Sequence, residues 1–188
     1  MTVDHKIIEG CRAGKRRAQS KLYQAYAGAM LGICLRYCSS RAEAEDILQE
    51  GFIKVFSNIK KLKDNAALGA WIRTIMVNTA ITHARRNKIN FIEINEDIVA
   101  DPEQDENTLL PVKPEVLISM IQELPQGYRM VLNLYVFENF SHKEIAAKLN
   151  ISESTSKSQL FKARKAIRMA VENMNLKNKK LVKNEAGI

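Results

Sequence analysis

Lys157, Phe161, Arg164 and Arg168 stand three or four residues apart, with Ser158, Lys162 and Lys165 among them. At about 100° per residue on a helix they share one face, while Leu160, Ala163, Ile167, Ala170, Val171 and Met174 fall on another. Ammonium and guanidinium groups in such a row suit phosphates, so nucleic acid is the first partner to consider. A helix with a dry face and a basic face also suits a membrane surface. Asp46, Gln49, Glu50 and Ile53 offer a different chemistry: an acidic stripe around one isoleucine, opposite Leu48, Phe52, Val55, Phe56 and Ile59. Lone surface isoleucines are common, so the stripe alone decides nothing.

Catalysis and metal binding are poorly served. Cys34 and Cys38 lie one helical turn apart, a spacing that a metal can use, but there is no second cysteine pair and the only histidines are His5, His83 and His142. The thiols therefore read as core or redox-silent groups, and no metal is expected. Cys11, Cys34 and Cys38 are also too few for a disulfide framework, which fits a reducing cytoplasm. No glycine-rich phosphate loop, nucleophile elbow or His-Glu-x-x-His occurs, so no catalytic residue and no cofactor are expected.

The elements that must position these groups read as helices. Residues 15–37 form one segment, with Leu22, Ala25, Tyr26, Ala29, Ile33 and Tyr37 near helical spacing. Ser39-Ser40 interrupts it, and 41–59 follow, carrying the acidic stripe. A basic loop at 60–65 leads to a third helix at about 66–87, in which Trp71, between Leu68 and Ile75, is expected in the core. Further on, Pro125 can open a helix at its first turn, with Met130, Val131, Leu134 and Tyr135 on its core side. Ser141-His-Lys-Glu144 is a capping box, which makes Ser141 a helix cap and not half of a Ser-His dyad. The helix it opens turns Ile145, Ala146 and Leu149 inward and ends at Asn150, a residue that tolerates the left-handed conformation. Ser152 is placed to cap the next helix at once. Two helices joined so tightly form a helix-turn-helix, and that favours DNA over a membrane for the basic face.

Charge divides the chain. It holds 29 Lys and Arg against 21 Asp and Glu in 188 residues, a net +8. Residues 71–90 carry four bases and no acid, and 157–183 carry nine bases and one acid, Glu172. Between them, 91–111 carry seven acids and no base, together with Pro102 and Pro111. That composition marks a linker, either simply solvated or acting to mimic or repel nucleic acid. The expected architecture is all-α: two small helical domains at 1–90 and 114–175, an acidic linker at 91–113 and a basic, disordered tail at 176–188. No apolar run approaches the roughly 18–20 residues that cross a bilayer, and no secretory signal opens the chain, so a cytoplasmic protein without membrane insertion is expected.

Several motifs together resemble one family. Glu45-Asp-Ile-Leu-Gln-Glu-Gly-Phe-Ile-Lys-Val-Phe56, and Trp71-Ile-Arg-Thr-Ile-Met-Val-Asn78 followed by Arg85-Arg86, are similar to region 2 of bacterial RNA polymerase sigma factors. Leu124-Pro125 with Arg129-Met-Val-Leu132, Phe140-Ser141-His-Lys-Glu-Ile-Ala-Ala-Lys-Leu149, and Ser152-Glu-Ser-Thr-Ser-Lys-Ser-Gln-Leu-Phe-Lys-Ala-Arg164 are similar to region 4. With only a short linker between them, the pair resembles the extracytoplasmic-function (ECF) subfamily.

The resemblance implies that Asp46, Gln49, Glu50 and Ile53 dock on the clamp helices of the largest catalytic subunit of core RNA polymerase. It implies that Lys60, Lys61, Lys63, Asp64 and Asn65 form a loop that, with Asn78, captures a base of the strand-separated −10 promoter element, with Arg85 and Arg86 holding the duplex upstream. An amide can read a flipped base and lysines can track phosphates; the alternative for Asn78 is a buried, satisfied amide. In the −35 element, Lys157, Ser158, Phe161, Lys162 and Arg164 would face bases or backbone, and Thr155 a phosphate. An anti-sigma protein is the implied inhibitor.

The chain departs from the family pattern at Ser154-Thr155-Ser156, where Gly-Thr-Val is common, at Gln159 and Lys162, where arginines are common, and at His83, often an aspartate. Loss of an arginine fork weakens the expectation of bidentate guanine readout. Two rivals stay open on the residues alone: a helix-turn-helix regulator that acts without polymerase, and a helical adaptor whose basic tail meets membrane or RNA.

Overall fold

A computed structural model describes residues 3–86 and 112–185; the acidic linker therefore lies outside the described residues, save Val112 and Lys113. Every regular element among the described residues is helical. The chain forms two compact units, Met1–Ile89 and Asn90–Ile188.

In the first unit, α1 (His5–Arg12), α2 (Arg16–Tyr37), α3 (Arg41–Asn58) and α4 (Leu68–Arg86) pack together, with two short 3₁₀ turns at Ile59–Lys61 and Asn65–Ala67. Ser40 caps α3 by accepting the Glu43 N–H at 3.2 Å, and the Glu43 carboxylate accepts the Ser39 N–H at 3.0 Å. The core takes Leu22, Tyr26, Met30, Ile33 and Cys34 from α2, Ile47, Leu48, Phe52 and Val55 from α3, and Leu68, Ile72 and Met76 from α4. Each such aliphatic side chain contributes about 1.5–3 kcal/mol by leaving water. Gly51 lets α3 approach α4 closely, since a Cβ there would collide with the Met76 sulfur. Cys11, Cys34 and Cys38 are buried free thiols, and burial pushes Cys34 up to about 12, out of reach of thiolate chemistry.

In the second unit, α5 (Pro114–Glu123) and α6 (Gln126–Leu132) lead through one π-helical turn (Asn133–Phe137) to α7 (His142–Leu149) and α8 (Glu153–Glu185). Pro125 precedes the first turn of α6 as its cap and does not lie inside it. Met130, Val131, Leu134, Ile145, Leu149, Leu160 and Ala163 form the core. The tail at 176–188, expected to be disordered, is instead helical through Glu185. No Gly or Pro interrupts the chain between Ser152 and Glu185, and lysine and leucine are good helix formers, so α8 has no reason to stop earlier.

Candidate nucleic-acid interface

The acidic stripe on α3 stands as its spacing requires. Asp46 and Gln49 are exposed, and Ile53, 66% exposed, is the most exposed large hydrophobic among the described residues. Glu50 differs from its neighbours. It is half-buried and held at 2.7 Å by Lys54, whose hydrogen bond keeps the carboxyl below its ordinary range. Arg86 of α4 lies 3.8 Å from the same carboxylate, and Lys54 also donates to Thr79 Oγ1 of α4 at 3.1 Å. The structure thus ties a residue expected to meet polymerase to one expected to meet DNA. His83 faces Glu43 at 3.4 Å in the same seam.

The expected −10 residues lie on the loop and on one side of α4. Lys60, Lys61, Lys63 and Asp64 are exposed, and Asp64 caps the second 3₁₀ turn by accepting the Ala66 N–H at 2.9 Å. Asn65 is half-buried, its amide oxygen accepting from Arg12 at 3.0 Å. Arg85 and Arg86 are exposed at the end of α4. Asn78 is exposed, which excludes the buried-amide reading. Trp71 is only half-buried, contrary to its expected place in the core. The residues that fill the core are Leu68, Ile72 and Met76, and Trp71 sits about 100° round the helix from Ile72. Trp71, Asn78 and Arg85 recur every seven residues, so aromatic, amide and cation share one stripe of α4.

The helix-turn-helix of the second unit is built as its sequence requires. The Ser141 hydroxyl accepts the Glu144 N–H at 3.3 Å and the Glu144 carboxylate accepts the Ser141 N–H at 2.8 Å. Asn150 ends α7 in the left-handed conformation at φ 57°. Ser152 then caps α8 by accepting the Thr155 N–H at 2.9 Å. Lys157 and Phe161 face outward, Phe161 with 38% exposure. Lys162 and Arg164 are half-buried, and Arg164 lies over the Tyr135 ring at 5.8 Å. Thr155 and Ser158 are half-buried with local bonds: Thr155 Oγ1 is 2.8 Å from Ser152 Oγ, and the Ser158 hydroxyl donates to the Thr155 carbonyl at 3.0 Å. Gln159 is 1% exposed, so that position faces the core and no base, whatever residue stands there.

Two contacts of this unit went unforeseen. The first is His142, stacked on Tyr135 with ring centroids 4.7 Å apart and with Nδ1 2.9 Å from the hydroxyl of buried Ser156. This joins the first turn of α7 to the start of α8. Ser156 and Gln159 sit four residues before Leu160 and Ala163, so extending the dry stripe backwards would have found them. The second is Arg129, buried, whose guanidinium donates to the carbonyls of Gln122 at 2.7 Å and Leu124 at 2.8 Å and so fixes the end of α5 on α6.

Burial, then the nearby Lys157 charge, holds His142 below its ordinary value of 6.5. The folded state therefore disfavours the proton, and the stability that the neutral ring contributes is complete above the unfolded value and is lost as pH falls through the folded one. We expect the unfolding midpoint of the second unit to drop between about pH 7.5 and about pH 5.5, and the drop to shrink in His142→Gln. Urea titrations of both chains at the two pH values check this.

The described residues form helices and their connecting turns, and the second unit is a capped helix-turn-helix with an outward basic face, the architecture of helix-turn-helix proteins. The family description Sigma-70 region 2 matches residues 22–89, and Sigma-70, region 4 matches residues 115–167. The chain is 30% identical over 182 residues to the RNA polymerase sigma-H factor of Pseudomonas aeruginosa, covering 90% of this chain and 94% of that one. It is 30% identical over 152 residues to the ECF RNA polymerase sigma factor SigM of Bacillus subtilis, covering 79% and 91%. The sigma factor RpoE of Bartonella quintana, solved in complex with the anti-sigma factor NepR, aligns at a TM-score of 0.47 with 18% identity, over 81% of this chain and 96% of that one. The chain belongs to the sigma-70 family, as an RNA polymerase sigma factor of the ECF group.

Proposed function

We propose that this sigma factor divides its work between three surfaces. The α3 stripe of Asp46, Gln49, Glu50 and Ile53 docks on the clamp helices of the largest polymerase subunit. Its apolar centre within an acidic rim suits a basic coiled coil, with Ile53 as anchor and the carboxylates giving orientation and encounter rate. The Lys60–Asn65 loop and the Trp71–Asn78–Arg85 stripe take the separated −10 strand: lysines follow phosphates, the indole offers a stacking face, the Asn78 amide reads a base edge, and Arg85 and Arg86 hold the duplex. Lys157, Phe161 and their neighbours on α8 enter the major groove of the −35 element. The observation that carries this reading is the 66% exposure of Ile53 on a face with Asp46, Gln49 and Glu50, opposite the buried Leu48, Phe52 and Val55.

No catalytic step is assigned to the chain. It lends specificity to the polymerase and traps the opened strand, so its binding energy goes into melting. No described helix is long and apolar enough to cross a membrane, and the reading places the protein in the cytoplasm with an anti-sigma protein as its inhibitor.

Lys157→Ala tests the −35 surface. If Lys157 reads a base, the variant loses about 1–3 kcal/mol on the cognate element and discriminates less at one position. A loss uniform across sequences, with a salt slope shallower by about 1, assigns it to a phosphate instead. Binding titrations of holoenzyme on cognate and scrambled −35 duplexes, at several salt concentrations, measure both. An unchanged affinity on every duplex removes Lys157 from the interface.

A further inference from the structure

In the second unit an ionisable ring joins the two helices of the helix-turn-helix. His142 is the first residue of α7, half-buried, and stacks on Tyr135 of the π-helical turn with 24° between the ring planes. Its Nδ1 lies 2.9 Å from the hydroxyl of Ser156, a residue of α8 with no exposed surface. A serine hydroxyl donates to a neutral imidazole and accepts from a charged one, so this joint can hold in either state. Three charged groups of α8 act on the ring: Lys157, which follows Ser156 directly, Glu153, and Arg164, whose guanidinium lies over the same Tyr135 ring at 5.8 Å. The π-helical turn contributes Tyr135 itself, and α7 contributes the exposed neighbours Lys143 and Glu144.

Burial resists a proton on this ring, Lys157 and Arg164 add to the resistance, and Glu153 opposes it. The positive end of α7 works with the cations. Those two cations are among the groups read above as meeting the −35 element. Phosphates drawn up to them set negative charge beside the ring, so part of the obstacle to the proton is lifted when DNA arrives. The coupling is reciprocal: DNA that favours the proton is itself favoured by it.

We infer that His142 takes up a proton as α8 enters the −35 element, so that recognition of this element tightens as pH falls. The inference rests on the reading that α8 binds that element. The bound form holds the proton to a higher pH than the free form does. Affinity is therefore lowest above the bound value, rises as pH falls through it, and levels off below the free value. For a single proton the rise stays below tenfold per pH unit.

Holoenzyme assembled from core polymerase and the full chain is titrated with cognate and scrambled −35 duplexes at about pH 7.5 and about pH 5.5, at constant salt. Each chain is judged by the ratio of its own affinities at the two pH values, so a general weakening in a variant does not enter. The unaltered chain is expected to bind the cognate duplex several-fold tighter at the lower pH. His142→Gln, whose amide can still meet Ser156 but takes no proton, is expected to lose most of that ratio. Lys157→Ala, which removes one opposing cation from the free chain, is expected to show a smaller ratio than the unaltered chain. His5 and His83 stand in the first unit and are the same in all three chains, so their titration cancels. Calorimetry of the unaltered holoenzyme in two buffers of different ionisation enthalpy needs no variant, and is expected to show net proton uptake on the cognate duplex. An equal ratio in the unaltered chain and His142→Gln overturns the inference, as does affinity that weakens as pH falls, or a binding heat that is the same in both buffers. If cognate and scrambled duplexes bind alike at both pH values, the reading beneath it fails and the inference with it.

Discussion

Ile53→Arg is expected to abolish co-migration of the chain with core RNA polymerase while leaving its helix content and unfolding midpoint unchanged. Ile53 is 66% exposed, so within the isolated chain the substitution is a surface change, for which effects stay within about 0.5 kcal/mol. At an interface the same position is different. An apolar anchor seated in a partner loses about 2 kcal/mol or more when truncated, roughly a thirtyfold weakening. An arginine goes further, because it also sets a buried cation against a basic partner. Asp46→Lys, on the rim, is expected to act mainly on the association rate and to lose its effect as salt is raised. Sedimentation of each variant with core polymerase, at two salt concentrations, measures both. Undiminished binding by Ile53→Arg would move the polymerase surface off α3.

Arg129→Met is expected to unfold the second unit preferentially, costing it about 3 kcal/mol. Methionine fills most of the arginine's volume, so the loss isolates the guanidinium and not a cavity. Two charge-assisted hydrogen bonds to the carbonyls of Gln122 and Leu124 disappear, each worth about 1.5–3 kcal/mol, partly offset by no longer burying a cation. A small unit with about 5 kcal/mol in total is left marginal. The two units can be followed separately in one sample: Trp71, the only tryptophan, reports the first by fluorescence, while circular dichroism reports both. The expected urea titration keeps the fluorescence transition in place and moves part of the helical signal to lower urea. A fluorescence transition shifted equally would mean that the units unfold as one.

What could be read in advance had a local chemical signature. The capping box at Ser141, the stop at Asn150 and the cap at Ser152 each satisfy backbone groups within a few residues, and all three stand as expected. The α3 stripe was legible because one face of a 3.6-residue period must be dry, and the rest of the helix obeys it. What escaped was tertiary. The Glu50–Arg86 pair joins residues far apart in sequence, and nothing periodic marks it. Trp71 is apolar enough for a core, but its neighbour Ile72 owns that direction. Helices α1 and α5 were not anticipated, although Pro114 at the first turn of α5 is an ordinary start signal and Val116, Leu117, Met120 and Ile121 follow at helical spacing. Nothing periodic marks Arg129 as buried, because its partners are main-chain carbonyls, which are the same in every sequence.

The three proposed surfaces meet in one activity, transcription that depends on this chain. Core RNA polymerase, with and without the purified protein, is given a library of promoter fragments, and run-off transcripts are sequenced. Transcripts are expected only when the chain is present, from start sites that share two upstream elements, lost with Ile53→Arg and weakened with Lys157→Ala. A full set of chain-dependent transcripts that survives Ile53→Arg, or none from any fragment while the chain still binds duplex DNA alone, would contradict the proposed division of surfaces.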